Sequence, residues 1–429
     1  MNPELTHNIQ PLLNRNYTRA VRAKGVFIYD ASGKFWIDGS SGAITCSLGH
    51  AHPRVMEVMR SQAERLHFVY RSQFGSEEAE QLAAMLAGIS PGNSYQHAFF
   101  VNSGTEAMET AMKIAWQHWQ ESGMPQKRSF ITRRKSYHGI TMGALSLSGH
   151  PLRRQRFEDL LEPYPLLHAD LEADPIEQQV AELAAAVDSI GADQIAAFVA
   201  EPVVGAAGAA IHPPAGYYMA MAEYCRRNRI LFIADEVMTG LGRTGEWFGL
   251  DHWHAVADIC VVGKSLGAGY TSIAATLMTS QVLEPIRKGS ALIMSGHTYS
   301  ANPLSCGTAL EVLRVIRDEG LLDQVCNRGR MLMEALGWLK SEFSFITHAR
   351  GKGLMTGLEF DPRLKGLQAA LINRCFENGL LVYPSVGGPQ GTDENAILIA
   401  PPFIISEVEL EQLIRILHRS LQAVSDMTP

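Results

Sequence analysis

A chain of 429 residues is too long for one ordinary compact domain of roughly 100 to 200 residues, and points to one large and one small domain. Hydrophobic residues make up 46% and charged residues 19%, a balance that fills a substantial core and excludes a disordered chain. A formal net charge of -7 gives no electrostatic footprint for nucleic acid or an anionic membrane surface, and no apolar run approaches the about 18 residues of a membrane span.

From the N-terminus, MNPELTHNIQ lacks a basic region followed by an apolar core, so a cytoplasmic protein is expected. GVFIYDASGKFWIDGSSG reads as short extended pieces with a hairpin turn at Ser32-Gly33. Between about Phe99 and Ser280, the runs HAFFV, SFIT, QIAAFVA, ILFIAD, ADICVV and SIAATLM alternate with helical stretches. That alternation predicts an α/β fold with a mostly parallel sheet flanked by helices. Within it, Arg153, Arg154 and Arg156 of PLRRQRFED read as a solvated helix face without a function. The C-terminal stretch mixes amphipathic helices (LQAALINRCFENG, VELEQLIRILHRSLQAV) with strand-like KGLMTGLEF and NAILIA, which suits a smaller α+β domain. A capping box, Ser406 with Glu409, opens the last helix. Six scattered cysteines show no CxxC pair and no metal-ligand spacing, so they read as small buried hydrophobes in a reducing compartment, with no metal site.

In open parallel sheets, ligands bind beyond the carboxyl ends of strands, so polar residues that end apolar runs carry the information. HAFFV runs into Asn102-Ser103-Gly104-Thr105-Glu106, QIAAFVA into Glu201, ILFIA into Asp235-Glu236, and ADICVVG into Lys264. Ser103 and Glu106 form a capping-box pattern and Gly104 allows close backbone approach, which fits a phosphate site and equally an ordinary capped helix. Gly240, Gly242 and Gly245 have GxGxxG spacing without a strand leading directly into them, which argues against a dinucleotide site. Gly263-Lys264-Ser265 resembles the end of a P-loop, but Asp258 stands where that motif needs its first glycine.

Taken in order, DGSSGAITCSLGHAHP, FFVNSGTEAMETAMKIA, KSYHG, AEPV, IADEVMTGLGRTG, VVGKSLGAGY, SGHTYSANPLSC and RGKGLMTGLE resemble the class III aminotransferases, a branch of the fold type I pyridoxal-phosphate enzymes. The resemblance covers nearly the whole chain. It implies a small domain formed by residues 1–60 and 326–429 around a large cofactor-binding domain at 61–325. It implies that Lys264 holds pyridoxal 5'-phosphate as a Schiff base and that Asp235 bonds the pyridine nitrogen, which makes the cofactor an electron sink. Tyr137 and Val237 are then expected on the two ring faces and Ser103, Gly104 and Thr105 at the phosphate. Thr298 is expected to reach the phosphate of the neighbouring subunit in a homodimer with shared sites, with pairing into a tetramer left open. Glu201 and His138 are expected beside the cofactor.

The expected reaction is ping-pong transfer of an amino group from an amine or ω-amino acid donor to a small keto acid, with Lys264 moving the proton. Met238 stands where relatives often have Gln, which resembles the amine and ω-amino acid branch. NAILIAPPF, with Ile399 and Ala400, lacks the arginine common in users of 2-oxoglutarate, which favours pyruvate. The loop PSVGGPQGTDENA lacks an arginine as well. Ile44 stands where many relatives place Trp, and Arg71 is a candidate carboxylate contact, with a surface arginine as the alternative. A racemase or an aminomutase of the same fold is the competing reading.

Overall fold

The computed structural model describes residues 7–388 and 391–425. Residues 1–6, and Pro389 and Gln390 of the loop PSVGGPQGTDENA, lie outside the described residues. Near the N-terminus, Ala20–Lys24 (β1), Phe27–Asp30 (β2) and Phe35–Asp38 (β3) form an antiparallel meander. The Asp30 carboxylate accepts the main-chain N-H groups of Ser32 and Lys34, and Gly33 takes a φ of +88°, which fixes the expected turn. β1 has no alternating pattern that sequence reading could have used.

The central sheet takes His97–Val101 (β4), Ser129–Arg133 (β5), Leu166–Leu167 (β6), Ile195–Ala200 (β7), Leu231–Glu236 (β8), Ile259–Val262 (β9) and Ala274–Met278 (β10). Its order is β4-β10-β9-β8-β7-β5-β6. β10 runs antiparallel to both of its neighbours, and every other adjacent pair is parallel. β7 and β8 are buried along their whole length, as expected of unbroken apolar runs covered on both faces. Because β4, β5, β7, β8 and β9 share one direction, their carboxyl ends open on one rim.

Beyond the large sheet, Ile346–Lys352 (β11), Met355–Phe360 (β12), Leu380–Leu381 (β13), Tyr383–Gly387 (β14) and Asp393–Ile399 (β15) follow. The run KGLMTGLEF is therefore two strands. It breaks at Gly353, where φ is +54° and a Cβ would lie 2.4 Å from the Thr244 carbonyl carbon. β11, β12, β15 and β14 make an antiparallel sheet, while β13 pairs parallel with β3, so the two ends of the chain share a sheet. The closing helix Glu407–Ser425 starts as expected, with Ser406 Oγ accepting from Glu409 N and the Glu409 carboxylate accepting from Ser406 N.

Two surface expectations are corrected. Cys225, Cys260, Cys306 and Cys375 are buried, but Cys326 is exposed and Cys46 is half-buried. Arg153, Arg154 and Arg156 are not one solvated face: Arg154 is 7% exposed, and its Nη1 donates to the carbonyls of Leu145, Ser146 and Ser148 at 2.9 to 3.1 Å. Those carbonyls end the short helix Met142–Leu147, and Arg154 supplies donors that no following turn provides. Glu158 balances the charge. Arg154→Ala should lower unfolding stability by roughly 3 kcal/mol, because it leaves buried carbonyls without donors. Urea unfolding measures this; a loss no larger than that of a neutral surface substitution would show that water replaces the guanidinium.

Candidate active site

The shared rim encloses a cavity of about 530 Å³, whose walls include Ser103, Tyr137, Glu201, Asp235 and Lys264. Each is delivered by a different strand end. Asp235 is the next-to-last residue of β8 and lies opposite Val261 of β9. It is 4% exposed, so its carboxylate must be met by donors. Oδ1 accepts from Val237 N at 3.1 Å and Oδ2 lies 2.7 Å from His138 Nδ1. With the carboxylate ionised, Nδ1-H is the donor, and His138 Nε2 is left to accept from the Thr132 hydroxyl of β5 at 3.2 Å. One hydrogen-bond chain thus spans two strands and fixes the direction in which Asp235 faces.

Glu201 follows β7 and is held by main-chain donors: Oε1 accepts from Tyr137 N at 2.9 Å and Oε2 from Gly205 N at 3.2 Å. Burial pushes its carboxyl upward; the neighbouring His138 opposes this and Asp235 adds to it. Below it, buried Arg133 donates Nη2 to the Glu201 carbonyl at 2.7 Å. The loop carrying Tyr137 is therefore tied to β7 and not left to solvent.

Lys264 follows β9 and takes a φ of +41°, a left-handed conformation that costs a residue with a Cβ on the order of 1 kcal/mol or more. Its Nζ makes no hydrogen bond or ion pair with any described residue. Burial lowers the amine to about 8, although Asp235 and Glu201 favour the ammonium and Arg243 opposes them. A poised, uncommitted amine beside a buried carboxylate results.

At the start of the helix Gly104–Glu121, Ser103 Oγ accepts from Glu106 N at 3.3 Å. The reciprocal half of the expected capping box is shifted by one residue: the Glu106 carboxylate accepts from Asn102 N and Nδ2, at 2.7 and 2.9 Å. A Cβ at Gly104 would lie 2.8 Å from Val237 Cγ1, so glycine lets the helix start close against β8's exit. Thr105 Oγ1 accepts from Ile140 N at 3.1 Å and joins the segment after β5 to this helix. Free N-H groups and the positive end of an 18-residue helix border the cavity here.

Three expected residues stand apart from this cavity. Ile44 is fully buried, with a φ of +59°, in an apolar cluster with Met238, Val386 and Ala400. Arg71 donates to the Ser295 carbonyl at 2.7 Å and lies over Phe99, and Thr298 is exposed on the neighbouring stretch. Met238 does line the cavity, where Gly205 makes room for its sulfur. Thr45 and the Gly269–Ile273 stretch line it too and were not singled out as site residues, although Thr45 lies within DGSSGAITCSLGHAHP and Gly269 and Tyr270 end VVGKSLGAGY. Gly242 and Gly245 have positive φ in a tight loop where Leu241 N bonds the Trp247 carbonyl, away from any strand-to-helix turn. Asp38, Cys46 and His50 converge, but His50 Nε2 already pairs with Asp38 at 3.1 Å, and burial raises the Cys46 thiol to about 11, which makes it a poor metal ligand.

The class III aminotransferase family profile matches residues 12–421. The chain belongs to the class III aminotransferases. Members of this family use pyridoxal 5'-phosphate, and this aminotransferase shares their fold type I architecture. It is 48% identical to the aminotransferase YodT of Bacillus subtilis (strain 168), over 97% of each chain. It is 35% identical to gamma aminobutyrate transaminase 3, chloroplastic, of Solanum lycopersicum, over 92% of this chain and 78% of that one. Among solved structures, an (S)-enantioselective omega-transaminase from Thermomicrobium roseum superposes with a TM-score of 0.89 at 32% identity, covering 97% and 96% of the two chains. An amine transaminase from an uncultivated Pseudomonas species, solved in its PLP-bound form, gives 0.89 at 30%, covering 98% of each.

In this aminotransferase freed of cofactor, acylation of Lys264 by an amine-selective reagent should rise with pH through an inflection at about 8. Asp235→Asn removes a charge that favours the ammonium, so the inflection should move to lower pH. A profile at the ordinary lysine value of 10.5, or one that the substitution leaves in place, would contradict the arrangement.

Proposed function

We propose that the rim cavity holds pyridoxal 5'-phosphate and that the enzyme moves an amino group from an amine or ω-amino acid to pyruvate by a ping-pong route. The observation that carries this reading is the uncommitted Lys264 amine, lowered to about 8, in one cavity with the buried Asp235 carboxylate. The cofactor, when bound, supplies an electron sink for the substrate carbon that loses its proton. The residues present fit it. Asp235, held by His138 and Val237 N, would keep a proton on the ring nitrogen. Tyr137 and Val237 would bear on the ring faces, and Ser103, Gly104 and Thr105 would take the phosphate with the N-H groups of the helix start. Glu201 would hold the Tyr137 main chain in place. Lys264, covalently attached at rest and freed by the donor, would carry the proton at the substrate carbon as base and then acid.

Exposed Thr298, on one stretch with exposed Met294 and Tyr299, supports a homodimer in which each subunit completes its partner's phosphate site. Phe68 meets Tyr299 edge to face, and Arg71 binds the Ser295 carbonyl, so the two segments form one surface. We assign residues 61–325 to a large cofactor domain and 1–60 with 326–429 to a small one, supported by the β3–β13 pairing. No helix among the described residues is long and apolar enough to cross a membrane, and the cysteines are free, which supports a cytoplasmic site of action. Pyruvate is preferred because Ile399 and Ala400 are fully buried and offer no cation to a second carboxylate.

Donors added one at a time without acceptor, among them alanine, β-alanine, putrescine and 1-phenylethylamine, should convert the cofactor's visible band stoichiometrically, and pyruvate should restore it. A band that no donor converts, with exchange of the substrate's α-hydrogen, would favour a racemase or an aminomutase instead.

A further inference from the structure

We infer that Arg153 is the residue that reads the substrate carboxylate, and so makes this enzyme prefer donors and acceptors with an acid group. The inference rests on the transaminase reading above. A keto acid needs a cation, yet the described cavity wall holds only Lys264, which the chemistry occupies. Three arginines of the region are already committed. Arg133 is buried with Nη2 on the Glu201 carbonyl and the Tyr218 hydroxyl. Arg243 is fully buried and donates to the carbonyls of Leu354 and Pro401. Arg71 holds the Ser295 carbonyl and covers Phe99.

Arg153 differs from all three. It is exposed, forms no hydrogen bond or ion pair through its side chain with any described residue, and has its guanidinium carbon 5.7 Å from the centroid of the Tyr137 ring, which lines the cavity. Tyr137 also neighbours His150, which is 5% exposed, with its ring 6.2 Å from Tyr137 and its Nδ1 buried without a hydrogen-bond partner. Burial and the Arg153 charge lower His150 to about 4, so it is neutral and does not compete as a cation. Arg154, pinned by three carbonyls, fixes the main chain beside Arg153, and Glu158, the acid that could have claimed Arg153, is taken by Arg154. A free, planar cation on a rigid turn at the edge of a substrate cavity is the form in which proteins present a bidentate carboxylate site.

The test compares 4-aminobutyrate with butylamine on the cofactor-loaded enzyme. The kcat/KM ratio of the acid to the amine should fall about 10- to 100-fold in Arg153→Gln and recover partly in Arg153→Lys. Arg153→Glu should turn preference toward putrescine over butylamine, a gain that a misfolded variant would not show. An unchanged ratio in Arg153→Gln, or a fall confined to Arg71→Gln, overturns the assignment. Calorimetric titration with butyrate, which cannot donate an amino group, judges Arg153 even if no donor converts the wild-type cofactor. Weaker butyrate binding in Arg153→Gln supports the assignment, while equal binding in both proteins, or none in the wild type, overturns it.

Discussion

The arrangement of this enzyme follows from one requirement: a carboxylate buried at the end of a central strand must be met by donors that cannot move. Asp235 is supplied by one main-chain N-H and by His138, and His138 in turn is held by Thr132. Those partners come from β5 and from the segments that follow β5 and β8, so the carboxylate is satisfied only when these strands are in place. Glu201 repeats the solution with the N-H groups of Tyr137 and Gly205. Glu236, beside Asp235 on the opposite face of β8, is raised to about 7 by burial and accepts from Gly249 N and Leu250 N. Folding of the rim and construction of the cavity are therefore the same event.

Within that frame the cavity is electrostatically asymmetric. The two carboxylates favour a cation, burial disfavours it, and Lys264 is left with an amine lowered to about 8 and no bonded partner. Its left-handed backbone directly follows Gly263, which sits beside Ala274 and Val237. The opposite pole is the start of the helix Gly104–Glu121, whose unpaired N-H groups suit an anion. An anionic cofactor with a ring nitrogen to protonate and an aldehyde to meet an amine matches both poles.

Much of this was legible in the sequence, because buried strands and their exits leave a clear signature. Six of the seven strands in the large sheet fall on the runs singled out in the sequence, and Asn102, Glu201, Asp235 and Lys264 follow or end four of them. The seventh, β6, has only two residues and no pattern. Details that depend on distant contacts were not legible. Arg154 reads as solvated until the helix Met142–Leu147 turns its carbonyls toward it, and the full burial of Ile44 in an apolar cluster with Met238 and Leu398 is not visible in its sequence neighbours. The split at Gly353 reflects a close approach to Thr244, more than a hundred positions away in the chain. Arg153 reads as part of a solvated helix face for the same reason: its nearness to Tyr137 is not something sequence spacing shows.

The most direct test of the account is the protonation state of the cofactor's ring nitrogen, read by nitrogen-15 NMR of ring-labelled pyridoxal 5'-phosphate bound to the wild type and to Asp235→Asn. The account predicts a nitrogen that stays protonated from mildly acidic to mildly alkaline pH in the wild type and loses its proton in the variant. A wild-type nitrogen that is unprotonated at neutral pH, or one that the substitution leaves unchanged, would show that Asp235 does not face the ring and would contradict the reading of the rim.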